Sequence, residues 1–148
     1  MCSTTRLADA PTRRVLAAPT RSYTLRLAHD VTAAASARRE ARILLASWGL
    51  PQEQTDDILL IISELVTNAV EHALPPVALR LRRMGADGGV HIDVSDAGPA
   101  ASEGARAATG TPAEHGRGRV IIDALSAGHG TRAEAGSVHH WATVGVTA

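Results

Sequence analysis

The segment ELVTNAVEHA, residues 64–73, places three reactive groups one helical turn apart: the Glu64 carboxylate, the Asn68 amide and the His72 imidazole. Apolar residues recur here at three- and four-residue spacing, which predicts an amphipathic helix with these groups on or beside its polar face. An Asn amide oxygen is a suitable ligand for a hard cation such as Mg²⁺. A Glu one turn earlier could orient or deprotonate a nucleophile beside that metal. On periodicity alone, outward-facing polar residues of an ordinary surface helix explain the segment better.

A second group of residues follows the segment VHIDVS, where Asp96, Ala97 and Gly98 come at the end of a predicted strand. Asp-x-Gly at such a place is most often a turn. Its other use is recognition, because a carboxylate can accept a hydrogen bond from an exocyclic amino group. A glycine beside it leaves room for a flat ring.

A third motif, HGRG at residues 115–118, is predicted to open a helix over residues 119–126. Gly116 and Gly118 would let the backbone approach an anion, and exposed amides at the start of a helix favour phosphate. Arg117 adds a mobile cation. The simpler alternative is a loop that only leads into the helix.

Composition excludes several classes of function. The chain has 148 residues, 15 basic and 15 acidic groups and a formal net charge of zero, so no broad field attracts nucleic acid or an anionic membrane. All basic residues other than histidine are Arg, which excludes the lysine-dependent phosphate-binding loop. A single cysteine, Cys2, and the lack of a long apolar run favour a reducing, cytoplasmic location without a membrane span.

The pattern along the chain predicts an α+β two-layer sandwich, with a mixed, mostly antiparallel sheet covered on one face by helices. Residues 1–19 are expected to form a flexible leader, and residues 20–148 a single domain. The predicted elements are a strand at 23–27, helices at 31–48 and 52–73, a hairpin of 77–84 and 90–95, a loop at 97–115, a helix at 119–126, and strands near 130–135 and 137–146.

The order and spacing of these motifs resemble the GHKL ATPase superfamily of gyrase, MutL and histidine kinases. Within it, they are most similar to the small anti-sigma-factor serine/threonine kinases of Gram-positive bacteria. ELVTNAVEHA resembles the N box, VSDAG the first glycine box and HGRGRVIIDALS the second. The resemblance covers residues 23–146 and implies a histidine-kinase ATPase-like (Bergerat) fold.

The resemblance implies a phosphate-binding end of the site built around the N box. Asn68 would hold Mg²⁺ against the phosphates of ATP, and Glu64 would act as base or water organiser for a seryl hydroxyl. Gly116 and Gly118 would bring their amides to the phosphates, with Arg117 between them. Phosphoryl transfer suits so sparse a set of groups, because catalysis of this reaction is mostly positioning and charge stabilisation.

The resemblance also implies a base-binding end. Asp96 would receive the adenine amino group, Gly98 would lie beneath the ring, and His72 would border the pocket. The loop Ala97–His115 would be the lid. No helical segment is long enough for the dimerisation stalk of a histidine kinase, so histidine autophosphorylation is not expected. His91, His139 and His140 are expected to lie on strands as ordinary side chains.

The function implied is that of an ATP- and Mg²⁺-dependent anti-sigma factor and protein serine kinase. It would phosphorylate a small anti-sigma-factor antagonist, bind a sigma factor and work as a homodimer in the cytoplasm. One alternative is a nucleotide-binding regulatory module of the same fold that has lost kinase activity and acts by sequestering a protein. A plain ATP hydrolase is a third possibility.

Overall fold

The computed structural model describes residues 21–85, 88–100 and 112–145, and the side chains of residues 112–117 are outside this description. The predicted leader and residues 101–111 of the predicted lid also lie outside the described residues. The elements, in chain order, are β1 (Ser22–Leu27), α1 (Ala33–Ser47), α2 (Gln52–His72), β2 (Val77–Arg83), β3 (Val90–Asp96), α3 (Pro112–Leu125), β4 (Gly128–Glu134) and β5 (Ser137–Val144).

The described strands form one five-stranded sheet in the order β1-β2-β3-β5-β4. Every neighbouring pair in it is antiparallel, so the parallel component allowed by the prediction is not found among these strands. Alternation along each strand decides the buried face: Leu79 and Leu81 of β2 are each 1% exposed, whereas Arg80 between them is exposed. The predicted α+β architecture is confirmed.

The helices cover the apolar face of the sheet. The inner side of α2 is its apolar stripe, and this stripe joins the strands in one core. Its apolar members are Ile58, Leu59, Ile61, Ile62, Leu65, Val66 and Ala69. α1 contributes the four-residue series Ala33, Ala37, Ala41 and Leu45, and the small side chains of its three alanines let α1 lie close against α2. No helix in the described part of the chain is long and apolar enough to cross a membrane.

Helix α1 begins two residues later than predicted. Asp30 directly precedes residue 31 and is a residue type that commonly caps helices, but the helix starts at Ala33 and its N-cap is Thr32. Asp30 instead accepts hydrogen bonds from the Thr32 amide at 2.8 Å and from the Thr32 hydroxyl. This side-chain hydrogen bond holds the pKa of Asp30 below its usual value. Asp30 thus forms a local turn ahead of the helix, a common use of Asp that competes with capping.

Helix α3 corrects the prediction for the second glycine box. It begins at Pro112, seven residues before the predicted start at Arg119, so Gly116 and Gly118 lie within the helix and do not form a loop that opens it. Proline suits a first helical position, because its fixed φ is helical and its missing amide would have no partner there. Glycines favour loops, yet one or two of them lower the stability of a helix by only about 1 kcal/mol each.

The face of the sheet opposite the core carries His91, whose ring stacks on Trp141 at a centroid distance of 5.8 Å. Burial, followed by the positive charge of Arg82, lowers the pKa of His91 from 6.5. Arg132 and Arg80 lower it further, and Asp93 opposes them.

His91 should therefore make folding sensitive to mild acid. A histidine with a depressed folded pKa destabilises the native state as pH falls through its unfolded value of 6.5, because the unfolded chain then binds the proton first. We expect the free energy of unfolding of the wild type to drop more between pH 7.5 and 5.5 than that of His91→Gln, in denaturant titrations at both pH values. Equal drops in the two proteins would show that His91 does not carry this sensitivity.

Candidate functional site

A cavity of about 440 Å³ lies between the polar side of α2, the C-terminal half of α3 and the strands β4 and β5. Pockets of this size are typical of small-molecule sites. Asn68 lines it from α2, one turn after Glu64. Its walls are Leu65, Asn68, Arg119, Ile122, His129, Gly130, Thr131, His140 and Trp141.

Helix α3 passes directly over Glu64. A Cβ placed on Gly118 would come within 2.7 Å of Glu64 Oε2 and 3.9 Å of Asn68 Nδ2. Gly118 therefore allows α3 to approach the polar face of α2, and it lies beside Glu64 and Asn68. The close approach depends on the absence of a side chain at Gly118 and not on its amide. The amide lies beyond the first four positions of α3, which are the positions whose amides lack partners within the helix.

The end of α2 is tied to the segment that follows β3. Leu74 donates its amide to Gly98 O at 2.8 Å, and Ala97 donates to Leu74 O at 2.9 Å. The carbonyl of His72 accepts from the Ala100 amide at 3.0 Å, while its Nε2 lies 3.5 Å from the Glu71 carboxylate. These bonds bring the first glycine box to the last turn of the N-box helix.

Asp96 forms a turn and keeps one oxygen without a hydrogen bond. Its Oδ1 accepts from the Gly98 amide at 2.8 Å, and Gly98 has φ +98°, a conformation that favours glycine. The side chain is 1% exposed. Oδ2 has less than 1 Å² exposed and no hydrogen-bond partner among the described residues. A buried carboxylate oxygen without a partner is costly, so this one is an acceptor suited to a ligand.

His140 corrects the expectation that the strand histidines are ordinary side chains. It pairs with Val94 in the register of β3 and β5, which places it on the helix-covered face, and it lines the cavity. Its Nε2 lies 3.2 Å from Asp96 Oδ2, but the approach lacks the angles of a hydrogen bond. His91 and His139, by contrast, alternate with the core residues on the opposite face, where His139 Nδ1 lies 2.9 Å from Asp93 Oδ1.

Other cavity residues were not proposed from the sequence. Arg119 lines the cavity beside Asn68, and it is the one Lys or Arg in the lining formed by described residues. Its position directly after the second glycine box, in a chain without lysine, is the signal that could have identified it. His129 joins α3 to β4 through Asp123. Gly130 leaves space for the Trp141 ring, since a Cβ there would lie 3.1 Å from it.

The predicted site residues form two groups. One contains Glu64, Asn68 and Gly118; the other contains His72, Asp96 and Gly98. Gly116 and Arg117 belong to α3, but the structure describes only their backbone and not what surrounds them.

No three His, Cys, Asp or Glu side chains within residues 21–85, 88–100 and 112–145 are grouped to hold a metal ion. At the N-box end, the amide oxygen of Asn68 is the protein donor expected to hold the metal, with water and phosphate oxygens as the other ligands. This set fits Mg²⁺, which keeps several waters and takes few protein ligands.

Comparison with known families decides the class of this site. The family of the histidine kinase-like ATPase domain matches residues 27–138, a range that contains both groups of site residues. The chain belongs to this family. Membership of this family agrees with the α+β fold, in which helices cover one face of the sheet.

Among solved structures, this ATPase domain is similar to the RsbU and RsbW domains of Rv1364c from Mycobacterium tuberculosis. The two chains are 25% identical, with a TM-score of 0.65 over 88% of this chain. The match covers 34% of the longer mycobacterial chain, so it concerns one part of that protein. Comparison with curated protein sequences gives no significant match.

Proposed function

We propose that this ATPase domain is an ATP- and Mg²⁺-dependent protein serine/threonine kinase that acts as an anti-sigma factor. It would phosphorylate a small anti-sigma-factor antagonist, bind a sigma factor and work as a cytoplasmic homodimer. The observation that carries the proposal is the cavity between Asn68 and His140, with a buried carboxylate oxygen of Asp96 behind it. The RsbW domain in the similar structure supports the choice of regulator.

The base-binding end is supported by the chemistry of Asp96. A buried carboxylate oxygen without a hydrogen bond is a strong acceptor. The adenine amino group can donate the hydrogen bond that this oxygen lacks. Guanine presents a carbonyl oxygen at the equivalent ring position, which a carboxylate repels. The fixed position of Asp96, held by the Gly98 amide, would therefore select adenine over guanine.

The phosphate-binding end is supported by Asn68 and Arg119, which face the same cavity from α2 and α3. Mg²⁺, when bound with the nucleotide, supplies neutralisation of the phosphate charge. Asn68 would give it an amide oxygen, and Arg119 would add a positive charge to the cavity wall. Glu64, one turn before Asn68, would orient the acceptor hydroxyl and take its proton.

The alternative, a regulatory module without transfer activity, is favoured by one specific observation. Gly118 lies against Glu64 inside a regular helix, so the amides of the second glycine box are not presented to phosphate in this conformation. A protein locked in this state could hold a nucleotide base and a partner protein but would not position the phosphates for transfer.

Labelled ATP separates the two functions. The chain is incubated with Mg²⁺, γ-labelled ATP and a purified anti-sigma-factor antagonist, and label on the antagonist is followed with time. Labelled antagonist supports the kinase. Nucleotide binding with unlabelled antagonist supports the module, and release of labelled phosphate without a protein acceptor supports a hydrolase.

Adenine selectivity should depend on Asp96. We expect Mg-ATP to raise the melting temperature more than Mg-GTP, because a ligand that binds the folded state stabilises it by mass action. In Asp96→Asn the affinity for ATP should fall by roughly 10- to 150-fold, the equivalent of losing a charge-assisted hydrogen bond of about 1.5–3 kcal/mol. The measurement is a thermal-shift titration with both nucleotides, followed by calorimetry.

The matched control is Asp93→Asn, the same substitution on the same strand but on the opposite face of the sheet. It should leave the ratio of ATP to GTP affinity unchanged. If Asp96→Asn lowers the melting temperature without nucleotide but keeps the ratio, Asp96 is a structural turn residue and the proposed base contact is wrong.

A further inference from the structure

The side chain of His140 separates Asp96 from the cavity. His140 lines the cavity, whereas Asp96 does not. The imidazole is 36% exposed, and its Nε2 lies 3.2 Å from the Asp96 oxygen that has less than 1 Å² exposed. A ligand in the cavity therefore meets the imidazole before it can meet the carboxylate.

We infer that His140 is a displaceable cover on Asp96 and a residue that sets the affinity for an adenine base. The inference rests on the proposed function. An amino group cannot donate to an oxygen with so little exposed surface unless a neighbouring group moves. His140 is the residue that both contacts this oxygen and lines the cavity, so its ring is the group that moves.

The contacts of the two side chains show which one yields. Asp96 is held by the hydrogen bond from the Gly98 amide at 2.8 Å and is almost completely buried. His140 has no hydrogen bond to Asp96, and its other ring nitrogen lies 3.3 Å from the hydroxyl of Thr131, an exposed residue. The acceptor is thus fixed, whereas the cover is held by one long hydrogen bond at the surface and by an ion-pair contact with Asp96 that lacks hydrogen-bond geometry.

Displacement is favourable because the base supplies what the imidazole does not. An adenine amino group that reaches Asp96 makes the hydrogen bond that is missing in the covered state. Molecules in which His140 covers Asp96 nevertheless reduce the apparent affinity for ATP, because the base binds only the molecules in which the Asp96 oxygen is uncovered. His140 is thus a positioning residue that opposes the base, and its removal should strengthen ATP binding.

The test measures the affinities of His140→Ala and His140→Val for Mg-ATP and Mg-GTP by calorimetry. The valine variant has the β-branched shape that strands favour, so it guards against a folding defect of the alanine variant. We expect both variants to bind ATP about three- to tenfold more tightly than the wild type, as for an acceptor that is open in roughly a tenth to a third of molecules. GTP affinity should not rise, because the uncovered carboxylate repels the carbonyl oxygen of guanine.

His139→Ala is the matched control, a histidine of the same strand on the opposite face, and it should leave both affinities unchanged. Weaker or unchanged ATP binding in the His140 variants overturns the inference that His140 covers Asp96. Equal gains for ATP and GTP also overturn it, since they indicate only a larger cavity. If neither the wild type nor the variants bind any nucleotide, the proposed function itself fails, and the inference fails with it.

Discussion

Replacing Asn68 with alanine should remove the Mg²⁺-dependent part of nucleotide binding while the protein stays folded. Asn68 is exposed on α2 and lines the cavity, and no other described residue offers a side-chain amide oxygen there. Loss of a contact to a charged group costs about 1.5–3 kcal/mol, which corresponds to roughly 10- to 150-fold in affinity. Alanine has the highest helix propensity, so the free energy of unfolding should not fall.

The measurement compares the affinity for ATP with Mg²⁺ and with EDTA in the wild type and in Asn68→Ala. The wild type should show a large difference between the two conditions and the variant almost none. Asn68→Asp, which keeps an oxygen ligand, should recover part of the Mg²⁺ dependence. Asp56→Ala, at an exposed position about three turns earlier on the same helix, is the control for helix stability. Unchanged Mg²⁺ dependence in Asn68→Ala would reject its role as a ligand.

Most of the fold could be predicted because local patterns and tertiary burial agree in this chain. The apolar series of α2 has the helical period over 21 residues, and the observed helix, Gln52–His72, ends one residue before the prediction. The burial of β2 follows its alternation of apolar and polar residues, and that of β3 does so except at Asp93 and Asp96, which are polar and buried. Tertiary packing had little to overrule at these positions, so propensity and periodicity were sufficient.

The predictions fail where one residue type serves two local structures. Asp30 is both a good helix cap and a good turn residue, and the turn is the observed structure. The glycines of the second box are typical of loops, but Pro112 starts a helix ahead of them. In the latter case, a close approach of α3 to Glu64 uses the small size of Gly118 and not its backbone freedom.

Some residues of the candidate site could be predicted from the sequence and others could not. Glu64, Asn68 and Asp96 could be proposed because the motifs that contain them resemble the N box and the first glycine box. The position of His140 could not, because it depends on the register of β5 against β3, in which Asp96 pairs with Val138 and Val94 with His140. A shift of one residue would have exposed His139 to the cavity instead. The sequence of one strand does not determine its register against a strand that is distant along the chain.

Glu64→Gln should separate binding from transfer. Glutamine has nearly the shape of glutamate, so it fits beside Gly118 equally well, but it cannot accept the proton of a seryl hydroxyl. We expect the turnover of phosphoryl transfer to an antagonist to fall by roughly 10²- to 10⁴-fold, the usual contribution of a general base. ATP affinity should change by less than about twofold, because Glu64 is not a ligand of the nucleotide in this mechanism.

Single-turnover transfer of labelled phosphate, with ATP binding measured separately by calorimetry, checks both halves of this expectation. Glu53→Gln, the same substitution in the exposed first turn of α2, should leave transfer unchanged. If Glu64→Gln loses ATP affinity and phosphoryl transfer to the same extent, Glu64 belongs to the metal site. If the variant transfers phosphate at the wild-type rate, Glu64 has no role in the chemical step. The decisive result is lost transfer with intact binding, because positioning by Asn68 and Asp96 would then persist while the proton acceptor alone is missing.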